Sequence, residues 1–141
     1  MSDSAATERS ATCVCLREGE PFVGKRGFSY AAAISAETVG ASAIHMQLLT
    51  VPPGARAKAH KHAAHETALY VLRGEVGMYY GERLEKHIVT RAGDFVYIPA
   101  NMPHLPYNMS ETETATAVVS RTDPNEQESV VLLPELDAIQ A

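Results

Sequence analysis

Ten short runs rich in Val, Ile, Leu, Tyr and Thr, separated by turn residues, constrain this chain's fold more than any other feature. They fall at residues 12–16, 43–51, 56–61, 67–73, 75–80, 86–90, 95–98, 106–108, 114–121 and 129–133. Pro52-Pro53-Gly54, Arg73-Gly74-Glu75 and Tyr80-Gly81-Glu82 are the clearest turns, because Gly supplies positive φ and Pro cannot donate to a ladder. Such a succession reads as an all-β barrel or sandwich. Residues 28–39, Phe-Ser-Tyr-Ala-Ala-Ala-Ile-Ser-Ala-Glu-Thr-Val, are the one stretch with helical propensity. Their β-branched members and Gly40 cut that propensity short, which predicts a turn or short helix before the barrel. The apolar run at 129–133 needs a sheet edge to bury against, in this chain or in a second copy.

A chain of 141 residues, 45% of them hydrophobic, is long enough to bury one sizeable core and needs no second domain. Residues 1–11 are small and polar and read as a disordered arm; residues 12–141 form the single globular domain. A formal net charge of −5 and the lack of a Lys/Arg cluster argue against a nucleic-acid partner. No segment has the length and apolarity to span a bilayer, and the N-terminus lacks a signal-like apolar run. The expectation is a cytoplasmic protein whose partners are small molecules or a second copy of itself. Cys13 and Cys15 have no second Cys or His pair at zinc-site spacing, so they read as two small buried apolar side chains in a reducing compartment.

The residues that carry chemistry are histidines. Along a strand, side chains alternate faces, so His60 and His62 point one way and Lys61 the other. Glu66, at the start of the next run, is positioned to bring a carboxylate alongside, and His104 adds a third imidazole. Imidazole with carboxylate suits Mn, Fe, Ni, Zn or Cu better than Ca or Mg. G-x-S-x-G, Walker and G-x-G-x-x-G patterns are absent, which removes the hydrolase and nucleotide-binding readings.

Two segments together resemble the paired motifs of the cupin superfamily. In the first, Gly54 is followed after five residues by His60 and His62, then after three by Glu66, and Gly74 arrives one residue later than the family pattern. In the second, Gly93, Pro99, His104 and Asn108 stand at the family spacings, and only Asn101 replaces a glycine. Asn tolerates the left-handed conformation better than most residues, so that replacement is mild. The late Gly74 leaves two counts: forward from His62 reaches Glu66, and back from Gly74 reaches Thr67. Glu66 is the favoured fourth ligand, with a β-bulge absorbing the extra residue, and His65 or water is its rival.

The resemblance implies a cupin jelly-roll barrel or sandwich over motifs 54–74 and 93–108, commonly a homodimer, with His60, His62, Glu66 and His104 as ligands of a divalent transition metal. It implies a metal-dependent enzyme of dioxygenase, decarboxylase or isomerase type, acting on a small carboxylate, enol or sugar-like substrate, with Glu66, or else a nearby Tyr, as the group that moves protons. A non-catalytic binding or sensing module and a structural barrel with a stabilising metal are the alternatives. Tyr70, Tyr79, Tyr80, Tyr97 and Tyr107 are candidates to line the cavity, and Asn108 is expected to fix backbone near His104.

Overall fold

Strict alternation of buried and outward positions along His45–Val51 and Ala115–Arg121 builds one wall of a β-sandwich, since every second side chain must find the core. The computed structural model describes residues 12–17, 21–23, 28–125 and 129–139. The elements are β1 (Pro21–Val23), β2 (Ser29–Ile34), α1 (Ala36–Val39), β3 (His45–Val51), β4 (His60–His62), β5 (Thr67–Arg73) and β6 (Glu75–Tyr80). They continue as β7 (Lys86–Arg91), β8 (Phe95–Ile98), β9 (His104–Asn108), β10 (Ala115–Arg121), β11 (Val130–Leu132) and α2 (Pro134–Asp137). Two antiparallel sheets face each other, a six-stranded one in the order β1-β2-β3-β10-β5-β8 and a five-stranded one in the order β11-β4-β9-β6-β7. This is the all-β jelly-roll arrangement expected from the turn-marked runs. No helix among the described residues is long and apolar enough to cross a membrane.

Two apolar clusters hold the sandwich. Phe28, Leu49, Val51, Ala57, Ala115 and Val119 pack between the sheets, towards one end. Ala59, Leu84, Leu105 and Leu136 form a second cluster. It includes Leu105, the β9 residue next to His104, and the strand alternation turns their side chains to opposite faces of the five-stranded sheet. α2 is tied to the entry of β4, because Asp137 accepts from the Ala59 amide at 2.6 Å and the Leu133 amide donates to the Ala59 carbonyl at 2.9 Å. That clamp fixes the residue immediately before His60. At the hairpin between β5 and β6, Gly74 has φ +88°, and a Cβ there would meet Ala115 at 2.9 Å, so the turn admits only glycine.

Several expectations change. Residues 28–39 form strand β2 and only then a four-residue helix, α1, closed by a capping box between Ser35 and Thr38 and by Gly40 in the left-handed conformation. Pairing of β2 along β3 overrides the alanine-rich helical preference. Residues 12–17 contain no strand, and Cys13 and Cys15 are exposed rather than buried. β11 finds its sheet edge within this chain, against β4. The arm expected at residues 1–11 lies outside the described residues.

Candidate metal centre

His60 and His104 are direct partners across β4 and β9, and His62 follows His60 on the same inward face. All three are buried, at 0, 2 and 1% exposure for His60, His104 and His62. Their ring centroids are 4.2 Å apart for His60–His104 and 5.1 Å apart for each of the other two pairs. One nitrogen from each ring lies within 4.8 Å of the other two, which makes a group able to hold an ion. Small ring rotations would bring such nitrogens to the ~2.0–2.1 Å of a metal–imidazole bond.

The backbone sets which nitrogen faces inward. His60 donates from Nδ1 to the Lys58 carbonyl at 2.6 Å, and His104 donates from Nδ1 to the Met102 carbonyl at 2.8 Å. A carbonyl accepts only, so Nδ1 carries the hydrogen in both rings and Nε2 is the nitrogen that would serve a ligand role. Asn101, the residue standing where the motif has glycine, has φ +64° and donates its amide to the His62 carbonyl at 2.8 Å. The turn before β9 is thereby stitched to β4, and the donor set fits a divalent transition metal of borderline softness.

The structure places Glu66 apart from the three histidines. Glu66 is exposed, outside the three-histidine group, and its amide bonds Thr122 Oγ1 at 3.0 Å on the outer side of the barrel. Strand parity is the reason: Thr67, Leu69 and Val71 line the interior, so Glu66, Ala68 and Tyr70 point the other way. A bulge does occur in β5 opposite Thr116–Ala117, but it comes after Val71, too late to reverse the parity at Glu66. Thr67 therefore occupies the inward position that the count back from Gly74 reaches. It is 4% exposed, and its Oγ1 has no hydrogen-bond partner among the described residues. The rival, His65, is buried beside His62 with ring centroids 4.7 Å apart, and its Nδ1 lies 3.7 Å from Asp123 Oδ2. Burial alone would raise the Asp123 pKa, but amides of Asn125 and Ser129 and the Asn125 side chain outweigh it and hold the carboxyl below its usual range.

His62, Thr67 and His104 stand at the edge of a cavity of about 50 Å³ between the sheets. The rest of its lining is apolar apart from Thr90 and Thr116, and no charged side chain lines it among the described residues. Thr90 is already satisfied, donating to the Val76 carbonyl at 2.9 Å. None of Tyr70, Tyr79, Tyr80, Tyr97 and Tyr107 lines this cavity; Tyr79 and Tyr107 stack on each other, with Tyr107 Oη 2.7 Å from His87 Nε2. Asn108 is not beside His104 in function: its amide nitrogen donates to Val51, Pro52 and Glu113 carbonyls and its oxygen accepts from Ser110, binding strand ends farther along the barrel.

Sequence reasoning missed a row of buried polar residues across the six-stranded sheet. His45, Arg121 and Thr67 are successive partners on β3, β10 and β5, with Gln47 one inward step along β3. The period-two pattern His45-x-Gln47-x-Leu49-x-Val51 carried the signal, since it continues an apolar inward face into polar residues. Arg121 donates to the Asp123 and Asn125 carbonyls and so is aimed at the loop after β10.

A sequence model of the Cupin domain family matches residues 47–120, more than half of the chain and both histidine segments. The chain is a cupin. Among solved structures it is similar to oxalate decarboxylase of Bacillus subtilis at pH 4.6, with 23% identity, a TM-score of 0.67, and coverage of 81% of this chain and 29% of that one. A structure of the same enzyme addressing its substrate binding mode matches at 24% identity and the same TM-score of 0.67, over 81% of this chain and 30% of that one. Another, concerned with its Mn(II) centres, matches at 23% identity and TM-score 0.67 with the same coverage of 81% and 30%. At these identities the likeness bears on the fold, and this cupin spans about a third of the enzyme's length. No curated protein sequence matches it.

Proposed function

We propose that this cupin binds a divalent transition metal through His60, His62 and His104 and acts as a metal-dependent enzyme on a small oxygen-bearing ligand. The observation that carries this is the pairing of three buried, inward-facing imidazoles with backbone carbonyls that fix two of their tautomers. When bound, the ion supplies Lewis acidity towards a ligand oxygen, and a redox-active one also supports dioxygen chemistry. The chain's own residues orient and exclude: the histidines fix the site, the apolar walls keep water from the ligand's body, and Thr67 offers a hydroxyl beside the head group. Dioxygenase, decarboxylase and isomerase chemistries all suit this arrangement, and the metal is Mn, Fe, Ni, Zn or Cu.

A second reading, ligand holding without turnover, draws on the absence of any carboxylate from the cavity lining among the described residues. A general acid or base inside the cavity would then have to come from elsewhere.

Metal analysis of protein purified without an affinity tag tests the reading. About one equivalent of a transition metal in the wild type is expected, and His104→Ala should lose it. The same substitution should lower the melting temperature by more with metal supplied to both proteins than without it, because an ion bound to the native state adds to stability by mass action. Equal metal content in the two proteins would sink the proposal. With metal in place, oxygen uptake or substrate loss separates the enzyme from the binding module.

Homodimerisation belongs to the same reading. The outer face of the six-stranded sheet presents Phe95 at 81% exposure and Tyr97 at 62% on β8, Leu72 on the adjoining β5, and Met46 and Leu48 farther across the sheet on β3. For a chain of net charge −5, an uncharged sheet face is where a second copy meets least repulsion.

A further inference from the structure

The geometry points to a ligand with one polar head and a short apolar body, and against a dicarboxylate. This rests on the metal reading above and goes further by naming the ligand class. Three observations combine. Thr67 faces the cavity that His62 and His104 also line, so the polar groups there are imidazoles and hydroxyls with no carboxylate, and an ion held by the histidines would keep its full positive charge for an anionic or enolate head. Thr67 Oγ1, buried and with no hydrogen-bond partner among the described residues, is the donor assigned to that head.

Leu69, Val76, Met78, Val96, Ala117 and Val119 are among the other walls, with no Lys, Arg, Asp or Glu among the described lining residues. A second carboxylate placed there would lose its water and gain no partner. The cavity of about 50 Å³ sets the size, since one water needs roughly 10–15 Å³ on this measure. The body therefore holds roughly three to five non-hydrogen atoms. A small straight or branched aliphatic acid, or the enol of a comparably small ketone, has this shape.

The test uses the full-length protein loaded with cobalt(II), whose visible bands report on ligand binding without any need for turnover. Acetate, butyrate and succinate are titrated in turn. Each buried methylene is worth roughly a fourfold gain, so butyrate is expected to bind roughly fifteenfold tighter than acetate. Succinate, which puts a carboxylate where butyrate has a methyl, is expected to bind at least tenfold more weakly than butyrate. Filling the cavity with Ala117→Leu, or more gently with Val119→Ile, should remove the advantage of butyrate over acetate, with cobalt uptake confirming that the variant is folded. Equal affinities for acetate and butyrate, or succinate binding as tightly as butyrate, would overturn the inference while leaving the metal site standing. Failure of the wild type to take up cobalt would instead overturn the metal reading and this inference with it.

Discussion

At the residue scale, the chemistry of the site turns on which neighbour of the β5 entry points inward. Glu66 and Thr67 differ by one position, and on a strand one position is a change of face. Glu66→Gln should leave metal content and affinity unchanged, whereas Thr67→Glu should raise affinity at least tenfold by adding a carboxylate to three imidazoles. Competitive titration with a chelating dye measures both, and a drop for Glu66→Gln would place its carboxylate back in the site. Histidine spacing made the grouping of His60, His62 and His104 legible, because His60-x-His62 needs only strand alternation to converge. The carboxylate was not, because its face depends on where the chain re-enters a strand after His65, which turn geometry decides and residue types do not. Thr67 was reachable only through the count back from Gly74.

At the scale of elements, the strands were read well where alternation and turns agreed. The runs at 75–80 and 95–98 coincide with β6 and β8, and 67–73 with β5. β2 was hidden because Tyr30-Ala31-Ala32-Ala33 carries no strand-like pattern of its own and becomes a strand by pairing with β3. β4 begins at His60 rather than at residue 56, since Arg56 makes only an isolated bridge to Tyr107. Asn108 joins the ends of β3, β9 and the loop before β10 through four hydrogen bonds. Asn108→Ala should cost about 2–4 kcal/mol in urea unfolding, because buried carbonyls and an amide lose their partner together. A cost under about 0.5 kcal/mol would mean that solvent replaces those bonds.

At the scale of the whole molecule, acid stability and association are the measurable properties. Asp123 has a folded pKa below its usual value, so the unfolded chain binds its proton more readily. Its stabilising contribution is full above the unfolded carboxylate range, about pH 4, and is lost as pH falls through the lower folded value. Asp123→Asn should therefore be less stable at neutral pH and lose less stability on acidification, which thermal melts across pH 2–7 would show; parallel curves for the two proteins would count against it. Association should depend on the outer sheet face: sedimentation is expected to give a dimer for the wild type and a monomer for Phe95→Lys. An unchanged mass for the variant would move the interface elsewhere.

The seam between β4 and β9 has one more consequence. His60 and His104 come from segments far apart along the chain, yet they are register partners, and Asn101 bonds across the same seam to His62. The loop-closure entropy of bringing them together is met by the folding of the two sheets and not by the ion. On the metal reading proposed above, the folded chain would present the three imidazoles already gathered. An ion held by His60, His62 and His104 would then tie β4 to β9 and oppose their parting, because a ligand of the native state alone adds to its stability.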